Sequence, residues 1–307
     1  MIPETRGSFD GSWFVEEDPR AARHAIHVEA RVHCETSPFQ KIDIYDTSFF
    51  GHLLTLDDVV MLTERDEFVY HEMIVHVPLC TIPEPRSVLV IGGGDCGTLR
   101  EALAHPGIER VVQCEIDERV TEACKPFFPW VEPAIADPRA ELVFGDGAAY
   151  VEKHEREFDL VVIDGTDPKG MATALFMRDF YAHVARALRP GGVMSAQAES
   201  PFWAAPMVSA IYDELRAAFA HATGYLAWIP TYASGCWNLA YASPDRRHDE
   251  FFDRERATAV GAQCRYYNAD VHGAAFALPN FARRAIAGDG NPFAALDDRY
   301  FDIMKRG

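Results

Sequence analysis

Four carboxylates stand where chemistry is most easily done, each at the end of an apolar run. They are Asp95 in Gly92-Gly-Gly-Asp95, Glu115 after Val111-Val-Gln-Cys, Asp146 in Gly145-Asp-Gly147, and Asp164 in Asp164-Gly-Thr-Asp167-Pro-Lys-Gly170. An apolar strand running into a glycine turn ordinarily brings backbone N–H groups and a helix N-terminus up to a phosphate. Asp95 reverses the local sign, so the ligand reads as nucleoside-like but cationic. Glu115 ends the next apolar run, 20 positions after Asp95 (115 − 95), where a carboxylate accepts hydrogen bonds from ribose hydroxyls. Asp146 can accept from an exocyclic amine, although Asp-Gly is also an ordinary turn pair. Asp164 and Asp167 can together neutralise an alkylammonium group and take its proton, because neighbouring negative charge raises a carboxyl toward the range of a working base. Tyr70-His71 and Ile229-Pro-Thr-Tyr232 add hydroxyls and an imidazole, but spacing alone leaves these as ordinary core residues. The 12 histidines form no HExxH or paired ligand spacing, so a metal is not expected.

Positioning four carboxylates in one crevice requires strands that end on the same side of a sheet. After Ser87 the pattern alternates strand and helix, with strands expected over 88–91, 111–115, 142–144, 160–164 and 193–197. This predicts an α/β fold: a mostly parallel sheet with helices on both faces, ligands binding at the carboxyl ends of its strands. Residues 1–65 instead alternate apolar and polar positions in short runs such as Lys41-Ile-Asp-Ile-Tyr45 and His52-Leu-Leu-Thr-Leu56, with Asp57-Asp58 as a turn. They are expected to form a small N-terminal antiparallel β domain, with residues 66–307 as the catalytic domain. Between the two, Phe68, Met73 and Ile74 suggest a helix with one buried stripe, closed by Pro78 and by Pro83 to Pro85. Pro244-Asp-Arg-Arg-His-Asp-Glu250 reads as a surface loop, and the tail from Cys264 to Gly307 as packing back on the core.

With 29 Lys+Arg against 47 Asp+Glu, the formal charge of −18 disfavours nucleic acid and anionic membrane and steers cations inward. Seven scattered cysteines, no signal-peptide order at Met1-Ile-Pro-Glu-Thr-Arg and no apolar run of membrane-spanning length give the expectation of a soluble, cytoplasmic chain.

The assembled motifs closely resemble the spermidine synthases, the polyamine aminopropyltransferases. The resemblance runs from about Gln40 to Arg284. It is carried by Thr63-Glu-Arg-Asp-Glu-Phe-Val-Tyr-His-Glu-Met73, Gly92-Gly-Gly-Asp95, Gln113-Cys-Glu-Ile-Asp117, Gly145-Asp-Gly147, Asp164-Gly-Thr-Asp-Pro168, Ile229-Pro-Thr-Tyr232 and Tyr266-Tyr-Asn-Ala-Asp-Val-His272. It implies a Rossmann-like, methyltransferase-type domain behind a small β domain, in a homodimer or homotetramer. It implies transfer of a 3-aminopropyl group from decarboxylated S-adenosylmethionine, a co-substrate rather than a cofactor, to putrescine, giving spermidine and 5′-methylthioadenosine. Asp164 then resembles the general base, assisted by Tyr70. Asp167, Tyr232 and Gln197 resemble the holders of the diamine. Gln40, His71, Gly92, Gly94, Asp95, Glu115, Asp146 and Gly147 resemble the donor site. The charge at Asp95 independently supports this over methyl transfer, since intact S-adenosylmethionine would bring a repelled carboxylate to the same turn. Three departures bear on the pocket: Cys96 where the family more usually has Gly, a side chain expected either to alter the packing of the donor turn modestly or to expose an oxidisable thiol there; Gly165 where Ser or Cys is common; and Trp237 just past Tyr232. They leave cadaverine, agmatine or spermidine as alternative acceptors. A methyltransferase, a non-catalytic polyamine-binding relative and an NAD-dependent dehydrogenase are weaker alternatives.

Overall fold

In the computed structural model the described residues are 6–18, 22–167, 170–291 and 293–295; Pro168 and Lys169 of the Asp164 loop, residues 1–5 and the tail beyond 295 lie outside them. The short alternating runs near the start form a six-stranded antiparallel meander. Its strands are β1 (Arg6–Phe9), β2 (Trp13–Asp18), β3 (Ala22–Thr36), β4 (Lys41–Thr47), β5 (Gly51–Leu56) and β6 (Val59–Thr63). Asp57 and Asp58 join β5 to β6 with φ of 49° and 61°. Two consecutive left-handed residues give the hairpin turn whose twist matches its strands, and Asp tolerates that region better than most side chains.

The second sheet has seven strands in the order β12-β13-β11-β10-β7-β8-β9. They are β7 (Ser87–Gly92), β8 (Arg110–Glu115), β9 (Ala140–Phe144), β10 (Phe158–Asp164), β11 (Leu188–Gln197), β12 (His221–Trp228) and β13 (Cys236–Ser243). The five from β9 to β11 are parallel, while β13 runs antiparallel to β11 and β12 antiparallel to β13. All five expected strands are present, each starting one to five residues earlier than the sequence pattern indicates. The final antiparallel pair was absent from that pattern.

Along β7 the side chains alternate between two cores. Val88 and Val90 face the layer of α1 (Glu67–Leu79), α2 (Gly97–Leu103), α3 (Glu118–Cys124), α4 (Val131–Ile135), α8 (Arg254–Gly261) and α9 (Ala269–Ala275). Leu89 and Ile91 face α5 (Gly147–Val151), α6 (Arg178–Ala187), α7 (Ala205–Ala218) and α10 (Asn280–Ala287). Both faces are covered, which is why the strands read as continuous Val, Ile and Leu.

The expected single stripe on α1 is a correction. Every residue from Val69 to Leu79 is buried, as is Glu67, and Phe68 alone is half-buried. The helix also continues through Pro78 to Leu79 instead of stopping there. It is buried all round because it packs against β10, β11, β12 and α2 at once. Buried charge on it must therefore be paired, and it is: the Glu72 carboxylate accepts the backbone N–H groups of Arg265, Tyr266 and Tyr267 at 2.9, 2.8 and 2.7 Å.

Candidate active site

The strand order reverses at β7, whose neighbours are β8 on one side and β10 on the other, both parallel to it. Open α/β sheets bind ligands in the crevice beyond the carboxyl ends of strands at such a switch point. A cavity of about 840 Å³ lies there, and Val59, Val60, Met61 and Leu62 of the first sheet line it together with the strand ends. All thirteen residues singled out from the sequence line this one cavity: Gln40, Tyr70, His71, Gly92, Gly94, Asp95, Glu115, Asp146, Gly147, Asp164, Asp167, Gln197 and Tyr232.

Glycine at position 92 is dictated by the neighbouring strand. Its φ is +85°, and a Cβ there would sit 2.2 Å from the Asp164 carbonyl oxygen. The turn is closed by Gly93 N–H donating to that same carbonyl at 2.9 Å. Asp164 is thereby fixed beside the glycine turn. Its Oδ1 accepts from the Tyr70 hydroxyl at 2.8 Å and its Oδ2 from the Thr98 hydroxyl at 2.6 Å. Burial raises the Asp164 carboxyl, Asp95 raises it further, and these outweigh the opposing pull of His71, Thr98 and Tyr70. For Asp95, burial also acts upward, but His71 overrides it and holds the carboxyl below its ordinary range. Two carboxyls of one cavity are thus displaced in opposite directions, Asp95 down and Asp164 up.

His71 connects Asp95 to the helix behind it. Its Nε2 lies 3.2 Å from Asp95 Oδ1, and its Nδ1 lies 2.7 Å from Glu67 Oε2, one helical turn earlier. Burial disfavours the charged ring, yet Asp95 and Glu67 push His71 up to about 10. His71, Asp95 and Asp164 also bring three ligating atoms within 4.8 Å of one another. An imidazolium offers protons rather than a lone pair, so His71 is held as an ion pair between Asp95 and Glu67, while Asp164 keeps its bonds to Tyr70 and Thr98. A second trio, His76, Glu101 and Cys264, lies outside the cavity and is satisfied internally: His76 Nε2 meets Glu101 at 3.0 Å, and the Cys264 thiol donates to the Val260 carbonyl at 3.3 Å.

Glu115 ends β8 with its Oε1 accepting the Asp117 N–H at 2.8 Å, and burial above all pushes it up to about 7. Asp146 uses Oδ1 to cap α5 through the N–H groups of Ala148 and Ala149 at 2.8 and 3.3 Å. The turn reading and the binding reading of this residue coexist, since two oxygens are available. Gln40 reaches across from the first sheet to donate to Asp117 Oδ2 at 3.0 Å. Gln197 is buried at the end of β11, where its Nε2 donates to the Thr166 carbonyl at 3.2 Å. The Tyr232 hydroxyl donates to the Met61 carbonyl at 2.8 Å, and its ring meets Trp237 edge-on at 4.8 Å.

The structure adds residues that sequence reasoning missed. Glu199, two places past Gln197, is buried, lines the cavity and has φ of +66°. Its place beyond a strand end was the available signal. Asp66 binds Thr63 through one oxygen at 2.6 Å and Thr231 through the other, at 2.8 Å to its N–H and 2.6 Å to its hydroxyl. It ties β6, α1 and the Tyr232 loop together, a role with no local pattern. Thr98 sits only three residues after Asp95 and holds Asp164. The reading of Cys96 as an oxidisable thiol is overturned: Cys96 is fully buried, its thiol is pushed up to about 12 by burial, and its φ of +62° explains why glycine suits this position. Gly165 leaves room, with Leu175 Cδ1 3.4 Å from where a Cβ would lie.

Residues 67–252 match the model of the spermine/spermidine synthase domain, and residues 12–64 that of the spermidine synthase tetramerisation domain. A polyamine aminopropyltransferase of Thermoanaerobacter sp. (strain X514) is 42% identical over 272 residues, which cover 88% of this chain and 97% of the relative. One from Clostridium beijerinckii is 39% identical over 279 residues, covering 90% and 98%. Among solved structures, spermidine synthase from Thermotoga maritima has a TM-score of 0.86 at 37% identity, covering 93% of this chain and 97% of that one. A spermidine synthase in complex with the transition state analogue AdoDATO has a TM-score of 0.84 at 38% identity, covering 87% and 91%.

Proposed function

The chain belongs to the spermine/spermidine synthase family and is a polyamine aminopropyltransferase, and from that premise we propose that it transfers the 3-aminopropyl group of decarboxylated S-adenosylmethionine to putrescine. The amine nitrogen attacks the methylene carbon bonded to the sulfonium. The new C–N bond forms as the C–S bond breaks, the electron pair leaves with sulfur as 5′-methylthioadenosine, and the amine's proton passes to Asp164. The observation that carries this reading is the contrast between two carboxyls of one cavity, Asp164 raised and Asp95 held ionised. A base needs the first behaviour and a permanent counter-ion for an ammonium needs the second.

Tyr70 orients the base through its 2.8 Å hydrogen bond. Asp95 receives the donor's ammonium, Glu115 the ribose hydroxyls and Asp146 the adenine amine, while Gly92, Gly94 and Gly147 let the backbone come close. Gln40 and His71 fix Asp117 and Asp95 respectively. Asp167, Tyr232 and Gln197 hold the far end of the diamine. The solved relative bound to AdoDATO, described as a transition state analogue, supports one cavity serving both substrates. The reaction on this reading needs no cofactor or metal, and positioning supplies much of the rate. The match of residues 12–64 to a tetramerisation domain supports oligomers, which we take as homodimers or homotetramers in the cytoplasm.

Mass spectrometry of products from decarboxylated S-adenosylmethionine with an equimolar panel of putrescine, cadaverine, agmatine and spermidine tests the reading. Spermidine with methylthioadenosine is expected from putrescine. Another aminopropylated product moves the acceptor, and absence of methylthioadenosine overturns the function. Asp164→Asn should then lower kcat by roughly 10²- to 10⁴-fold with donor affinity retained; equal loss of both would remove Asp164 from the role of base.

A further inference from the structure

We infer that Arg265 is a positioning residue for the donor's ammonium group, acting through Glu67 and His71 on Asp95. The inference rests on the aminopropyl-transfer reading for the identity of the ammonium and on geometry for the rest. Asp95 Oδ1 is occupied twice, by the Gly97 N–H at 2.8 Å and by His71 Nε2 at 3.2 Å. Those two contacts fix the plane of the carboxylate and leave Oδ2 for the cavity. His71 can hold Asp95 only while its own ring is fixed, and Glu67 Oε2 fixes it at 2.7 Å.

Glu67 is in turn a buried carboxylate that needs cations of its own. Arg100 Nη2 meets Oε2 at 2.8 Å, and Arg265 Nη2 meets Oε1 at 2.7 Å. Arg100 is shared, since it also binds Glu101 at 2.6 Å and lies over Trp130. Arg265 pairs with Glu67 alone among the described residues. Its guanidinium stacks 3.9 Å above Phe68, and its backbone N–H is gripped by Glu72. Guanidinium, carboxylate, imidazolium and carboxylate therefore alternate in sign from the C-terminal segment to the cavity wall. Arg265 lines a separate cavity of about 320 Å³ and not the one that Asp95 lines, so its route to the donor runs through Glu67 and His71.

The test is a double-mutant cycle on the full-length protein with donor and acceptor varied separately. Arg265→Met should raise the KM for the donor about three- to ten-fold, with kcat and the acceptor KM within about two-fold. In a Glu67→Gln background the same substitution should have no further effect on the donor KM. Arg265→Lys, which keeps the charge, should restore most of the loss and decides the matter if Glu67→Gln does not fold. Additive effects, a parallel rise in both KM values with a lowered Tm, or no rescue by lysine would overturn the inference. Wild-type protein that makes no methylthioadenosine would instead refute the functional reading.

Discussion

Burial above all pushes the Glu115 carboxyl up to about 7 from an ordinary 4.5. Because its folded-state value lies above its unfolded one, folded protein binds the proton more tightly between those limits, and stability falls as pH rises through the window from 4.5 to 7. A Glu115→Gln protein should therefore be more stable than wild type at pH 8 by on the order of 3 kcal/mol, and lose most of that advantage near pH 5. A pH-independent difference in thermal melts would show that Glu115 is not the titrating group. If Glu115 holds the donor's ribose as proposed, its ionised form is the better acceptor, and the donor KM should rise as pH falls below about 7. Cys96 gives a second prediction at this scale. Buried and pushed up to about 12, its thiol should resist alkylation at neutral pH until the protein unfolds. Peptide mass mapping that finds Cys96 among the first modified thiols would contradict its burial.

At the scale of elements, the glycine turn and the start of α2 are built around His71. A Cβ at Gly97 would come within 2.2 to 2.5 Å of three atoms of the imidazole ring. Gly97→Ala should displace His71 and weaken donor binding at least about ten-fold, while kcat at saturation changes less; an unchanged donor KM would mean that the ring can move without consequence. This contact also shows what was legible beforehand. Asp95, Glu115 and Asp164 could be read because each is fixed by a local pattern, an apolar strand followed by its first turn. Gln40 to Asp117, Tyr232 to Met61 and Arg265 to Glu67 could not be read from periodicity, because their partners are 77, 171 and 198 positions away. Motif resemblance marked Gln40 and Tyr232 without showing what they touch, and left Arg265 unmarked. The β12 and β13 pair was missed for a related reason. Its antiparallel strands carry no catalytic carboxylate at their ends to draw attention to them.

For the whole molecule, the formal charge of −18 surrounds a cavity that the functional reading fills with cations. Association should then be electrostatically steered, and kcat/KM should fall several-fold between low and physiological salt while kcat stays nearly constant. A kcat/KM independent of ionic strength would reduce the surface charge to a matter of solubility. The capture of Arg265, Tyr266 and Tyr267 by Glu72 has a consequence for the newborn chain. Translation delivers α1 early, with a carboxylate that must lie in the core, and delivers the three N–H groups that satisfy it nearly 200 residues later. Until that segment leaves the ribosome, seating α1 would bury an uncompensated charge. The helix bearing Tyr70 and His71 should therefore reach its final seat only after residues 265–267 are available to it.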